Sequence, residues 1–325
     1  PEYLEPVNDI ELDGEVTMTV NIDGNFSGNH IPGINVQFTV EEGSFLHKKS
    51  GLKLSELMFD GIFTNGESRS PKSYALSISN IHSTIKGGQI DGSLEISDFL
   101  QPKIHTRLKS LARIEDLTGI FNIDTVESIS GMMELNLEFR KQFNNFRKFT
   151  SEDFISSQTS GSMKIKDMNF RLKKSPHNFR DFNGTFRFNN KDLKIDEFTG
   201  TISGSDFKME GYFRNVLAYA FIPDEPIFIN ADFHSDHFDL DRILETGKGQ
   251  GSEKTRLSFS EKVNYNLNIQ IDTFTFRKFS STRNIGQLVQ RDQTLYVKNT
   301  RINSMDGQVV LNGTINGENS ELYTI

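Results

Sequence analysis

Imidazoles and carboxylates crowd together in Asp232-Phe-His234-Ser-Asp236-His237-Phe-Asp239, the stretch of this sequence with the density of a metal site. On a strand, Asp232, His234 and Asp236 share one face and His237 points to the other. That split suits wet-face residues running into a turn better than a tetrahedral zinc centre, so no metal is assigned. The other histidines, His30, His47, His82, His105 and His177, are scattered. Thr246-Gly-Lys-Gly-Gln-Gly-Ser252 has the glycines of a phosphate loop but not the Gly-x-x-x-x-Gly-Lys-Ser/Thr spacing, and it reads as linker. There is no Gly-x-Ser-x-Gly elbow, no His-Glu-x-x-His helix and no carboxylate pair in a plausible pocket context. The expectation is a protein with no catalytic residues and no cofactor.

The bulk numbers narrow the partners. Lys plus Arg total 36 against 44 Asp plus Glu, a formal charge of -8, which argues against a nucleic-acid partner needing a basic stripe. The small basic patches His47-Lys48-Lys49 and Arg171-Leu172-Lys173-Lys174 fall at expected turns and read as solvated hairpin tips, with contact to an anionic membrane surface as the other use. Zero cysteines exclude disulfides and thiolate chemistry. No 18-residue apolar run and no leader pattern occur, so a spanning helix is not expected within this stretch. The start at Pro1 and the stop at Ile325, just after a strand pattern, read as cuts from a longer protein.

The elements that would position any site are strands. Val16-Thr-Met18-Thr-Val20-Asn-Ile22, Leu135-Asn-Leu-Glu-Phe139 and Tyr265-Asn-Leu267-Asn-Ile269-Gln-Ile271 alternate apolar with polar residues, the pattern of antiparallel sheet with one dry and one wet face. Further strands are expected over 36–40, 52–54, 74–78, 89–96, 161–165, 184–188, 207–210, 227–233, 295–297 and 308–312. Breaks such as Asp23-Gly24, Asn65-Gly66, Asn189-Asn190 and Asp306-Gly307 suit hairpin turns that need positive φ. Short helices are expected at Leu108–Ile114 and Phe238–Glu245, with polar loops over 142–158 and 246–261. Phe contributes 28 residues while Trp is absent, so rings must fill or line something wide.

Three windows repeat. Gly184, Leu193 and Gly211 recur as Gly286, Leu295 and Gly313, each 102 positions on, and Leu76 and Gly87 precede Leu193 and Gly204 by 117. The repeat units are drawn as 36–140, 160–250 and 262–325. Joined edge to edge they would give roughly 16 to 20 strands about 4.8 Å apart. A sheet beyond about ten strands must curl, split or pack on itself. A long curled groove with a dry lining and a string of closed sandwiches both satisfy that demand.

The pattern from Gly184 to Gly211, followed by Phe238-Asp-Leu-Asp-Arg-Ile243, resembles the AsmA family of bacterial envelope proteins (AsmA-like and TamB-like), especially the large Bacteroidota versions. Gly14 to Gly24, Ile31-Pro-Gly-Ile34 and Gly51 to Gly66 are similar to that family's interior. The resemblance implies an all-β fold, a long curled antiparallel sheet forming a repeating β-groove with a few short helices. It implies a periplasmic protein anchored in the inner membrane by a helix outside this chain, conducting phospholipid or other acyl lipid to the outer membrane or maintaining its lipid balance. Envelope proteins would dock at the ends.

Under that reading the lipid contacts are the alternating residues Val16, Met18 and Val20; Leu76 and Ile78; Phe186 and Phe188; Leu267, Ile269 and Ile271; and Val309 and Leu311. An acyl chain leaving water gains roughly 0.8 kcal/mol per buried CH₂. The other reading of each residue is an ordinary core position. The alternative function is a non-enzymatic tandem β-sandwich scaffold or protein-interaction module in outer-membrane assembly. A further alternative is carbohydrate binding, which would show an aromatic platform ringed by Asp, Asn and Gln.

Overall fold

The computed structural model describes residues 9–25, 31–48, 51–121, 126–144, 153, 155–173, 175–222, 224–244, 259–317 and 323–324. The linker stretch 246–252 lies outside them. The chain divides into two compact units, one of residues 1–123 with 132–163 and the other of 124–131 with 164–325.

The first unit is an antiparallel meander in which each strand pairs with the next. It runs β1 (Ile10–Asp23), β2 (Gly33–His47), β3 (Leu52–Thr64), β4 (Ala75–Ile85), β5 (Gly88–Ser97), β6 (Lys103–Arg113) and, from residue 132 onward, β7 (Val126–Gln142). Cross-strand register builds apolar rows on one face: Met18, Phe38, Gly61, Ile78 and Leu94 lie side by side, as do Val20, Val36, Phe63, Leu76 and Ile96. Gly61 is required in its row because the Phe38 ring lies across it, 2.1 Å from where a Cβ would sit.

Helix α1 (Ile114–Phe121) closes one end of this sheet. Ile85, Ala112 and Leu117 are buried together beneath it, flanked by Leu52, Leu54, Ile90 and Met133. The helix begins where β6 ends, so the helix expected over Leu108–Ile114 is displaced. Residues 103–111 are paired on both edges, to β5 and β7, and this two-sided ladder outweighs the local helical pattern. Glu115 and Asp116 in the first turn favour the helix start that is adopted. Burial by itself would push the Asp116 carboxyl up, but hydrogen bonds from Arg113 (2.9 Å) and Lys86 (3.2 Å) outweigh it and hold the group below its ordinary value.

The second unit contains β8 (Gln158–Leu172) in its larger part, then β9 (Phe179–Asn189), β10 (Asp192–Ile202), β11 (Ser205–Arg214), β12 (Ile227–Asp239), β13 (Val263–Phe276), β14 (Phe279–Arg291), β15 (Thr294–Ser304), β16 (Gly307–Asn316) and β17 (Tyr323–Thr324). Helix α2 (Val216–Phe221) links β11 to β12, and α3 (Leu240–Ile243), one turn capped by Asp239, follows β12. The helix expected over Phe238–Glu245 is thus shorter, because β12 continues to Asp239 alongside β13. β4, β10 and β15 have equal lengths and are spaced by 117 and then 102 positions, as are β5, β11 and β16.

Most of the phenylalanine surplus of this unit forms one aromatic spine. Phe170 stacks on Phe179 with centroids 4.4 Å apart; Phe182 meets Phe170, Phe179, Phe198 and Phe207; Phe207 reaches Phe233, then Phe238, Phe274 and Phe279. The path crosses strands β8 to β14, and Phe182 and Phe207 within it are buried. Such edge-to-face and stacked pairs add to the stabilisation that ring burial supplies.

The expected form, one long curled antiparallel sheet making a groove, is corrected on two counts. β12 and β13 run parallel over twelve matched positions, so the sheet is mixed. The sheet is neither curled nor closed. The demand for curling came from treating all strands as one continuous antiparallel ribbon.

Replacing Phe182 by Ala should cost about 3–5 kcal/mol in denaturant unfolding, since it removes the ring that touches four others; a loss below about 1 kcal/mol would show that the spine does not hold the second unit. Asp116→Asn should destabilise the protein at neutral pH, because a depressed carboxylate contributes above its unfolded value of 3.8 and that contribution fades as pH falls through the folded value. Urea midpoints of the two proteins should therefore converge on acidification, and a deficit that stays constant to low pH would contradict the ion lock.

Candidate interaction surface

The twelve residues singled out by alternation all occupy strands, and register divides them between the units. In the first unit Val16, Met18 and Val20 on β1 share a face with Leu76 and Ile78 on β4. In the second, Phe186 pairs with Ile195 and Phe188 with Leu193; Leu267 pairs with Ala231 and Leu288, and Ile269 with Phe233 and Gly286; Val309 pairs with Ile302 and Leu311 with Thr300.

Their exposures differ sharply. Val16, Met18 and Val20 are 63%, 61% and 45% exposed, and Val309 is 52% exposed. Phe186 and Ile271 are buried at 5% and 7%. Leu76, Ile78, Phe188, Leu267, Ile269 and Leu311 are half-buried. A lipid channel needs a continuous accessible lining, whereas here the central residues are covered and the open ones lie on β1 and β16. With the sheet neither curled nor closed, the reading as a lipid-conducting groove is withdrawn, and with it the phospholipid-transport role assigned to these residues.

The most exposed element is β1. Every residue from Glu11 to Asp23 is solvent-exposed, and among the described strands β1 is held only by β2. Its apolar positions, Leu12, Val16, Met18, Val20 and Ile22, continue the rows of β2 and β3 outward into solvent. Glu11, Asp13, Glu15 and Asp23 make the strand acidic, and a bulge between Asp13 and Glu15, with Gly14 at φ 146°, bends it beside Gly43. Acidic side chains and a bulge are the usual protection of an open edge against unwanted pairing.

The wet face of the second unit carries a ladder of amides that alternation marks only as polar. Asn264, Asn266 and Asn268 on β13 stand beside Asn230 and Asp232 on β12 and Gln287 on β14. Asn268 donates to the Asp232 carboxylate at 2.8 Å. Next to the ladder, Asp192 accepts a hydrogen bond from the Tyr212 hydroxyl at 2.8 Å and pushes that phenol above its ordinary value. Tyr265 is also pushed up, by burial. A signal for the ladder was present in the spacing of Asn264, Asn266 and Asn268, but the partners from β12 and β14 depend on pairing that the sequence does not display.

His234 and Asp236 do share the wet face, with Nε2 and Oδ1 3.1 Å apart, and β13 adds Asp272, so that one ligand atom from each lies within 4.8 Å of the others. Asp232 is drawn away to Asn268, and the backbone amide of His237 is bound by the Asp206 carboxylate at 2.7 Å. Asp236 and Asp272 are exposed, as suits solvated wet-face groups. Among the described residues no helix is long and apolar enough to cross a membrane.

Scans against protein-family models, curated proteins and solved structures return no match. The resemblance to AsmA proteins thus rests on strand-and-turn texture alone, and the expectations drawn from it (a lipid groove, outer-membrane lipid transport and a membrane-anchored conduit) have no counterpart in these comparisons.

Exposure predicts opposite responses within the set. Ile271→Asp should destabilise the protein by more than about 3 kcal/mol by burying an unpaired charge, while Val16→Asp should shift stability by no more than about 0.5 kcal/mol. Equal losses in thermal or chemical unfolding would contradict the division into covered and open positions.

Proposed function

We propose that this chain is a non-enzymatic β-sheet scaffold that engages a protein partner by strand addition along β1. The observation that supports it is the combination, on one strand, of a backbone edge left open among the described residues and a row of exposed apolar side chains in line with the covered face. A strand laid against that edge would satisfy its free backbone groups while covering Val16, Met18, Val20 and Ile22, on the order of 1 kcal/mol apiece for side chains already partly covered by β2. The acidic residues of β1 favour a partner strand whose outward positions are basic. Nothing in this role requires proton transfer or a nucleophile, in keeping with the lack of any catalytic motif in the sequence.

A photo-cross-linking residue placed at Thr19 should give a discrete protein adduct in cells producing the full-length protein, whereas the same residue at Ser79, an exposed position on β4, should not. Val16→Lys with Met18→Lys should weaken adduct formation at least tenfold without altering the melting temperature. Identical adducts from both positions, or adducts indifferent to the two lysines, would remove the edge as the docking site.

A further inference from the structure

On the wet face of the second unit, at the end of the amide ladder, lies a cleft of about 300 Å³ lined by Tyr212, Arg214, Phe228, Asn230, Asn264, Asn266 and Arg291, among others. Alternation should deliver polar residues here, yet Phe228 is 39% exposed and Tyr212 is 42% exposed, two rings kept on the solvent side of adjacent strands. Both are held in place: the Tyr212 hydroxyl is tied to Asp192, and the Arg214 guanidinium sits 5.1 Å from the centre of the Phe228 ring.

The polar groups around the rings are left unengaged. The side-chain amides of Asn230 and Asn264 bond to no described residue, and Asn266 Oδ1 is enclosed without a donor. An enclosed carbonyl oxygen without a donor from its own chain is uncommon in native structures. Neither Arg214 nor Arg291 has a carboxylate partner among the described residues. Guanidinium groups present fixed forks of donors that match a carboxylate in two parallel hydrogen bonds.

From this arrangement we infer that the cleft binds an acidic saccharide. The C–H face of a sugar ring rests on Phe228 and Tyr212, its hydroxyls exchange hydrogen bonds with Asn230, Asn264 and Asn266, and its carboxylate is taken by Arg214 and Arg291. Amides both donate and accept, as hydroxyls do, so the ladder fits a polyol better than a ligand that mainly accepts, such as inorganic phosphate. The volume lies at the lower limit of small-molecule sites and suits a single residue or short segment of a glycan. This assignment is independent of the β1 edge, which belongs to the other unit.

The test is a titration of the full chain with galacturonate, alginate and hyaluronan oligosaccharides, with cellotetraose and the methyl ester of trigalacturonate as neutral controls and acetate and inorganic phosphate as bare anions. At least one acidic oligosaccharide should bind saturably. Neutral sugars and bare anions should bind at least tenfold more weakly. Phe228→Ala and Arg291→Gln should each reduce the affinity about tenfold or more with unchanged melting temperature, and both residues are exposed enough to be replaced without loss of fold. No saturable binding by any acidic oligosaccharide, equal binding of acetate or phosphate, or binding untouched by Phe228→Ala would overturn the inference.

Discussion

A strand satisfies its backbone within the protein only when both edges are paired, and this structure is organised by where that pairing stops. From β2 through β6 in the first unit, and from β10 through β15 in the second, each strand has a neighbour on both sides. β1 has one described neighbour. Since side chains on an edge strand are covered from one side only, the backbone constraint also determines side-chain exposure. Met18 and Phe38 belong to the same apolar row, yet Met18 is exposed and Phe38, one strand further in, is half-buried.

Within the second unit the dry face is covered largely by its own rings. Phe182, Phe198 and Phe207 cover one another, while Phe186 and Phe198 occupy space over Gly184 and Phe182 over Gly200, whose missing side chains make room for them. Large rings beside glycines recur in the first unit as Phe38 over Gly61. This device lets a sheet seal apolar surface with few helices, and it accounts for a composition rich in Phe but modest in other hydrophobic residues. The wet face works on the opposite principle, with amides and paired charges that remain solvated and, at one end, rings held outward by Asp192 and Arg214.

The period-two alternation revealed the strands and their dry and wet faces, because both are properties of consecutive residues. The repeat spacing likewise reappears in the bounds of β4, β10 and β15. Asn190, Met305 and Asp306 adopt positive φ at turns where Asn or Asp-Gly had marked a break, but Asp292 and Gln293 turn equally tightly without a glycine to announce it. Leu108–Ile114 was misread because a helix-compatible pattern cannot reveal strands waiting on both sides. The parallel pairing of β12 with β13 was hidden for a similar reason: Ile229-Asn-Ala-Asp-Phe233 and Leu267-Asn-Ile-Gln-Ile271 alternate alike whichever way their neighbour runs. Whether Val16 or Ile271 ends in solvent or under cover depends on position in the sheet, to which local alternation is blind.

The openness of β1 is the claim on which the functional account stands, and amide hydrogen exchange resolved by residue measures it most directly. A one-sided strand bonds every second N–H to β2 and leaves the others to water, so protection along residues 10–23 should alternate with a period of two, while β13, paired on both edges, should be protected throughout. Uninterrupted protection along β1, matching that of β13 in the isolated protein, would mean that the edge is already occupied and would contradict the account.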